Sequence, residues 1–193
     1  RRQRRRASGI ERFAEIMDTP ITIADAPDAK PLVVKDGSID FDDVSFEYPD
    51  DHNKVLRHVD LHIRPGENVA LVGPSGGGKT TLCHLLSRFW DVDAGQVTLG
   101  GHDVREYDMD SLIRNFSFVF QNVYLFHDTI ANNIRFGQPD APMEKVIEAA
   151  KKACCHDFIM ALPDGYETII GEGGANLSGG EKQRISIARA IMK

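Results

Sequence analysis

The sequence has no long hydrophobic run and contains little cysteine. None of its apolar stretches approaches the roughly 20 residues that a membrane-spanning helix needs, and no secretory signal opens the chain. Its three cysteines, Cys83, Cys154 and Cys155, are neither even in number nor spaced as zinc ligands. These absences argue against a spanning helix within these residues, a disulfide framework and a zinc site. They predict a soluble domain in a reducing, cytosolic setting.

Length and composition fit one globular domain with room for a subdomain. The chain has 193 residues, of which 41% are hydrophobic and 27% are charged. Its net charge is −6, yet the first dozen residues are strongly basic because they carry Arg1, Arg2, Arg4, Arg5, Arg6 and Arg12. One interpretation of these arginines is an arm that binds nucleic acid.

A second interpretation places the basic start beside a membrane. An apolar stripe at helical spacing follows the arginines and consists of Ile10, Phe13, Ala14 and Met17. Positive charge next to such a stripe is typical of a chain that has just left a membrane on its cytoplasmic side. Residues 19–31 contain three prolines and are predicted to be a connector. The stripe favours this juxtamembrane interpretation over a nucleic-acid arm.

A glycine-rich loop, residues 73–80, lies between an apolar run and a helical pattern. Residues 68–73 read Asn-Val-Ala-Leu-Val-Gly and predict a short buried strand, and helical spacing follows the loop at Leu82, Leu85, Leu86 and Phe89. Glycines let successive backbone N–H groups surround phosphate oxygens, and a helix start adds partial positive charge. A flexible glycine turn is the alternative, but it does not explain a Lys-Thr pair at this offset.

The residue types in the loop predict binding of a nucleotide with Mg²⁺. Lys79 would supply a point charge to the β and γ phosphates, and the Thr80 hydroxyl would be a Mg²⁺ ligand. The residues predicted to contact the phosphates are Gly73, Pro74, Ser75, Gly76, Gly77, Gly78, Lys79, Thr80 and Thr81.

The rest of the chain divides into strands and then helices. Alternating apolar and polar residues predict half-exposed antiparallel strands at 41–48 and 59–63, with a turn at 64–67, and further strands are predicted at 96–99 and 117–120. A helix with Asp140 and Pro142 as its cap and first turn should bury Met143, Val146, Ile147 and Ala150. A final helix from Glu181 should bury Ile185, Ala188 and Met192.

A signature segment, residues 177–181 (Leu-Ser-Gly-Gly-Glu), provides the second motif. It offers bare backbone N–H groups and the Ser178 hydroxyl at a helix start, without a lysine of its own. Together with the glycine-rich loop it resembles the signature and Walker A motifs of the ATP-binding cassette (ABC) family. This resemblance covers the chain from about Ile39 to its last residue.

The resemblance implies an α/β fold of the P-loop NTPase class. Its RecA-like core would carry an antiparallel β subdomain and a helical subdomain, at about residues 122–185, that includes the signature segment. Residues 1–36 would be a juxtamembrane helix and linker from a transmembrane domain, and residues 37–193 would be the ATP-binding domain. ATP and Mg²⁺ are the implied cofactors, and nucleic acid is not an expected partner.

Several site residues are implied by position within the family pattern. Tyr48 would stack on adenine and Val55 would border it. Gln121 would be the Q-loop glutamine, a ligand of Mg²⁺ and water, and would share the catalytic role with Lys79. Residues 171–174, Gly-Glu-Gly-Gly, resemble the exporter x-loop, although Gly173 departs from the larger basic residue often found there.

The signature segment implies a second subunit. In the family it closes over the γ phosphate held by the partner's Walker A loop, so two ATP molecules lie within a head-to-tail dimer. The residues that would contact the partner's ATP are Leu177, Ser178, Gly179, Gly180 and Glu181. Glu181 replaces the glutamine most often found in this motif. Its carboxylate suits the helix dipole but lies near phosphate, so we expect it to tune affinity.

The resemblance implies the ATPase domain of an exporter, fused to a transmembrane domain and held at the cytoplasmic face of a cell membrane. The sequence ends at Lys193, before the family's Walker B Asp, catalytic Glu, D-loop and switch His, so we expect a truncated chain that is inactive alone.

Two other functions stay open. A DNA-repair or chromosome-maintenance ATPase is disfavoured, because about a hundred residues without heptads separate the two motifs. A module that binds ATP without turnover is the second. The transported substrate and the choice between homodimer and heterodimer are not encoded in any motif.

Overall fold

The computed structural model describes residues 9–34, 36–49, 54–171 and 175–193. The chain divides into two compact units, Arg1–Asn115 and Phe116–Lys193. The arginine-rich start and residues 172–174 of the proposed x-loop lie outside the described residues. No helix among the described residues is both long and apolar enough to cross a membrane.

An antiparallel sheet organises the first unit. Strand β1 (Ile39–Glu47) pairs with β2 (Lys54–Ile63) on one side and with β3 (Ala94–Leu99) on the other. The short β4 (His102–Asp103) pairs with β3, so the strand order is β2-β1-β3-β4. The strands predicted at 41–48, 59–63 and 96–99 are confirmed. Their buried side chains are Phe41, Val44, Phe46, Leu56, Val97 and Leu99.

The described residues of the first unit also form three helices and a 3-10 turn. Helix α1 (Gly9–Met17) is the predicted amphipathic helix, and its Phe13 and Met17 are exposed. Helix α2 (Lys79–Leu86) buries Leu85. It ends before Phe89, so this last residue of the predicted helical pattern lies outside the helix. A 3-10 turn (Val104–Glu106) leads into α3 (Met109–Arg114), whose first turn is capped by the Asp108 carboxylate.

The connector between α1 and β1 is irregular, as its prolines predict, but it is attached to the unit by hydrogen bonds. The Lys30 N–H donates to the Glu106 carbonyl at 2.9 Å, and the Lys30 carbonyl accepts from the Asp108 N–H at 3.0 Å. The buried Arg88 guanidinium donates to the Ala24 carbonyl at 2.9 Å. The described part of the connector is therefore attached to the segment between the 3-10 turn and α3 and to the end of α2.

The second unit is mainly helical. It contains α4 (Ile130–Ile134), α5 (Met143–Lys152), α6 (His156–Met160) and α7 (Gly179–Met192), with 3-10 turns at Arg135–Gly137 and Gly165–Glu167. A short antiparallel ladder joins β5 (Asp128–Thr129) to β6 (Ile169–Ile170). The predicted apolar faces of α5 and α7 are confirmed, because the core includes Val146, Ala150, Ile185, Ala188 and Met192.

Two of the predicted strands are wrong. Residues 68–73 and 117–120 have irregular backbone. A strand persists only where its N–H and C=O groups pair with a neighbour, and neither segment joins a ladder in the part of the chain that the structure describes. Apolar side chains in both segments are consequently exposed, and Val72 retains 94% of its accessible surface.

The start of α5 also differs from its prediction. Pro142 is the N-cap residue, with φ −66° and ψ 156°, and no side chain caps the helix. Proline suits this position because its fixed φ matches the required backbone and it lacks an N–H that would need a partner. Asp140, predicted as the cap, does not fill that role.

Candidate functional site

The glycine-rich loop turns directly into α2. Gly76 and Gly78 have φ of 79° and 81°, in the left-handed region that favours glycine. A Cβ atom on Gly78 would lie 2.6 Å from Leu56 Cδ2 in β2, so a side chain here would displace the end of the leucine side chain. The left-handed backbone is therefore the main reason that position 78 favours glycine, and the contact with Leu56 adds to it.

The loop presents positive charge at the start of α2. Gly78 is the N-cap residue, and no side chain accepts a hydrogen bond from the first N–H groups of the helix. The Lys79 ammonium folds back and donates to the carbonyls of Gly73 at 3.0 Å and Pro74 at 2.7 Å. Free N–H donors and an adjacent ammonium form an arrangement that suits an anion.

The predicted adenine residues lie beside the loop within the first unit. The Tyr48 hydroxyl lies 3.1 Å from Thr81 Oγ1, so Tyr48 contacts the first turn of α2. Its ring meets Phe46 and Trp90 edge-on, with centroids at 4.9 Å and 5.6 Å. Val55 contacts the same region, because a Cβ on Gly78 would lie 3.4 Å from Val55 Cγ1. Thr80 is exposed, whereas Thr81 is buried.

Gln121 lies in the second unit. Its backbone is irregular and its side chain is exposed. The preceding carbonyl, that of Phe120, accepts a hydrogen bond from the Gln183 side chain of α7 at 3.4 Å. The glutamine side chain is therefore available to solvent, while the backbone on its N-terminal side is attached to a helix.

The signature segment starts α7 through a capping box. The Ser178 hydroxyl accepts from the Glu181 N–H at 3.3 Å, and the Glu181 carboxylate accepts from the Ser178 N–H at 2.7 Å. The same carboxylate oxygen also accepts from the Ser178 hydroxyl at 2.7 Å. Leu177 is buried, whereas Ser178, Gly179 and Gly180 are exposed. The helix begins at Gly179, two residues before its predicted start, because Ser178 caps it.

Glu181 is held in its charged form. The hydrogen bonds from the Ser178 side chain and backbone lower the pKa of Glu181 below its ordinary value. The signature segment therefore carries a fixed negative charge next to its exposed N–H groups. The sequence pattern Ser-x-x-Glu is the signal for such a cap, whereas Glu181 was expected to suit the helix dipole and to tune affinity.

The residues of the first unit fit a nucleoside triphosphate. A loop with left-handed glycines, uncapped helix N–H groups and an ammonium provides the donors that phosphate oxygens need. The Thr80 hydroxyl is exposed at the same helix start and suits a hard cation such as Mg²⁺. A flat tyrosine ring lies on the neighbouring strand end.

No sequence pattern points to two residues that organise the second unit. Asn133 is only 1% exposed, although its type and its neighbour Asn132 are typical of a surface. Arg189 lies between Ala188 and Ala190, and its side chain hydrogen-bonds to Asn133 and to the Tyr124 carbonyl. Only the packed structure identifies these contacts, because they join residues about 55 to 65 positions apart.

Comparison with known proteins identifies the family of this chain. A family model described as "ABC transporter" matches residues 56–193. A putative multidrug export ATP-binding/permease protein, YgaD of Bacillus subtilis (strain 168), is 47% identical over 186 residues, which cover 96% of this chain and 32% of that protein. An ATP-dependent lipid A-core flippase of Syntrophus aciditrophicus (strain SB) is 48% identical over 186 residues, covering 96% of this chain and 31% of the flippase.

A solved structure has the same fold. The structure of a bacterial Atm1-family ABC exporter with ATP bound matches 95% of this chain and 32% of its own, with a TM-score of 0.87 and 42% identity. This match confirms the predicted fold class, and the chain spans about a third of the length of the relatives it matches. Membership of the family implies ATP binding. On the match over residues 56–193, the chain belongs to the ABC transporter family.

Proposed function

We propose that this chain is the ATP-binding domain of an exporter that uses ATP hydrolysis to move a substrate out of a cell. The observation that carries the proposal is that two helix starts with different donor groups occur in one chain. The glycine-rich loop supplies a lysine and helix N–H groups, whereas the signature segment supplies N–H groups and a serine without a cation. Similarity to the multidrug export protein and the flippase named above supports the proposal that ATP hydrolysis drives transport.

In this proposal the first unit holds the nucleotide. Residues 73–81 surround the phosphates, and Lys79 exchanges its bonds to the loop carbonyls for bonds to the β and γ phosphates. Tyr48 stacks on the adenine ring and Val55 borders it. Thr80 and Gln121 would hold Mg²⁺, which supplies charge neutralisation at the phosphates.

Hydrolysis would rest mainly on electrostatic positioning of the γ phosphate. Lys79 stabilises the charge that develops on the phosphoryl oxygens, and Gln121 orients the attacking water. In the intact protein we place the general base and the Walker B aspartate outside these 193 residues. We therefore expect the chain to be inactive when it is alone.

A second ABC subunit would complete each ATP site. The exposed N–H groups of Gly179 and Gly180 and the Ser178 hydroxyl would meet the γ phosphate that the partner's glycine-rich loop holds. We also propose a transmembrane domain fused through the connector, with the ATP-binding domain on the cytoplasmic side. Closure of the dimer on ATP would then drive the change of access.

Mixed dimers of two variants test the shared site. Lys79→Ala disables the glycine-rich loop and Ser178→Arg disables the signature segment, so a dimer with one copy of each variant has one undamaged site and one site damaged twice. If sites are shared between subunits, we expect the mixed dimer to retain ATP at one of its two sites, as measured by nucleotide trapping. Neither variant alone should retain it. If each chain forms its site by itself, mixing will restore nothing.

A further inference from the structure

Residues 116–127, here called the Gln121 segment, belong to neither a helix nor a strand. Besides the packing of Leu125 and Phe126, several side chains hydrogen-bond to its backbone. Gln183 of α7 donates to the Phe120 carbonyl at 3.4 Å, and Arg189 of the same helix donates to the Tyr124 carbonyl at 3.0 Å. Gln121 lies between these two attachment points. The helix that starts at the signature segment therefore holds the backbone on both sides of Gln121.

Arg189 makes the larger contribution to this attachment. Each of its three guanidinium nitrogens has a partner, because Nε donates to the Asn133 carbonyl at 2.8 Å and one Nη donates to Asn133 Oδ1 at 2.8 Å, while the other bonds Tyr124. The guanidinium also lies over the rings of Phe126 and Phe136, at 5.4 Å and 5.7 Å from their centroids. A lysine ammonium cannot replace this guanidinium, because it lacks the planar group that hydrogen-bonds through three nitrogens while lying over two aromatic rings.

Asn133 extends the attachment to Phe126. Its Oδ1 accepts from the Phe126 N–H at 2.9 Å, and its Nδ2 donates to the Phe126 carbonyl at 3.0 Å. The side chain thus pairs with both backbone groups of one residue, as a neighbouring strand would. Asn133 is buried, and loss of Arg189 would remove a donor to its carbonyl and one of the two donors to its Oδ1, which would still accept from the Phe126 N–H.

We propose that Arg189 is a positioning residue that makes the Gln121 segment move together with the signature segment when ATP binds. Helix α7 connects the two, since it begins beside Ser178 and carries Gln183 and Arg189. A helix transmits displacement along its axis because its own hydrogen bonds keep it rigid. The inference rests on the proposed function, in which ATP contacts both Gln121 and the signature segment. Gln183 is a second and weaker link.

Hydrogen–deuterium exchange on the intact exporter that we propose contains this chain tests the link, with Mg·ATP as the probe. In the unaltered protein we expect ATP to slow exchange both at residues 178–182 and at residues 121–126, by about tenfold, which is within the range of couplings between sites. In Arg189→Lys the slowing at 178–182 should persist, while that at 121–126 is lost. Arg114→Lys, at an exposed arginine paired with Asp110, is the matched control and should behave as the unaltered protein.

The possible results separate the inference from the function on which it rests. Equal slowing of both segments in Arg189→Lys would overturn the inference, because the segments would then respond independently of the guanidinium. Loss of slowing at 178–182 as well as 121–126 would also overturn it, since Arg189 would then act on ATP binding itself. If the unaltered protein shows no ATP effect at 178–182, the proposed function fails instead.

A second variant covers the case in which Arg189→Lys does not fold. Gln183→Met preserves side-chain length and helix propensity but removes the bond to the Phe120 carbonyl. We expect a partial loss of slowing at 121–126 with an unchanged response at 178–182. A response at 121–126 equal to that of the unaltered protein would overturn the part of the link that Gln183 is proposed to carry.

Discussion

At the scale of single residues, Glu181 shows how one carboxylate stabilises a helix and charges a binding surface. It accepts from the N–H and the hydroxyl of Ser178, so the serine proton is already engaged before any phosphate arrives. A phosphate oxygen at the signature segment would have to replace Glu181 as the acceptor of that proton. The negative charge that completes the cap therefore opposes the ligand that we propose for the same residues.

Glu181 should give the stability of the domain a specific acid dependence. Its pKa is lowered in the folded chain by the bonds to Ser178, so its contribution is present above its ordinary value of 4.5 and is lost as the pH falls through the folded pKa. Glu181→Gln preserves the capping box but does not titrate. We expect the free energy of unfolding of the unaltered domain to fall more steeply than that of the variant between about pH 5 and 3. Urea unfolding measures this, and parallel pH profiles would contradict it.

At the scale of elements, the sequence predicts whatever depends on local periodicity or on a cap. The alternation of β1, the apolar faces of α5 and α7 and the turn into α2 all follow from residue spacing, and the structure has each of them. The strands predicted at 68–73 and 117–120 fail, because a strand is defined by a partner that its own sequence does not reveal. The bonds of Arg189 and Asn133 were unpredictable for the same reason.

Two alanine substitutions in the glycine-rich loop test its backbone geometry. Alanine at position 78 would have to adopt φ near 81° and would place its Cβ 2.6 Å from Leu56 Cδ2. We expect Gly78→Ala to destabilise the domain by at least about 1 kcal/mol, the cost of a left-handed backbone with a side chain. Gly73→Ala is the matched control, because open space surrounds its Cβ position and its stability should change by less than about 0.5 kcal/mol. Thermal unfolding compares them, and equal losses would argue against the loop geometry.

At the scale of the whole molecule, the exposed apolar side chains of residues 68–73 and 117–120 indicate that the fold is completed by further strands. Val72 in one segment and Phe120 in the other are exposed, at 94% and 55%, although both types are normally buried. The relatives are about three times as long as this chain. We expect further strands of a longer polypeptide to pair with residues 68–73 and 117–120 and to cover these side chains.

A comparison of two chain lengths examines that expectation. The 193-residue chain should unfold broadly and aggregate, whereas a chain that continues for several dozen residues past Lys193 should unfold cooperatively at a higher temperature. Scanning calorimetry with light scattering distinguishes the two. A sharp, reversible, monomeric transition of the shorter chain would show that the two segments need no further strands.

The most direct test of the proposed function is the affinity for Mg·ATP of the intact protein and of its Lys79→Ala variant. The Lys79 ammonium, which hydrogen-bonds to the loop carbonyls in this structure, carries a full positive charge. A charge-assisted hydrogen bond from it to a phosphate oxygen is worth roughly 1.5–3 kcal/mol. Calorimetric titration should therefore show affinity reduced about ten- to a hundredfold by Lys79→Ala. Lys152→Ala, at an exposed lysine paired with Glu148, should leave affinity unchanged. Equal affinities of the Lys79→Ala variant and the unaltered protein would contradict nucleotide binding by the glycine-rich loop.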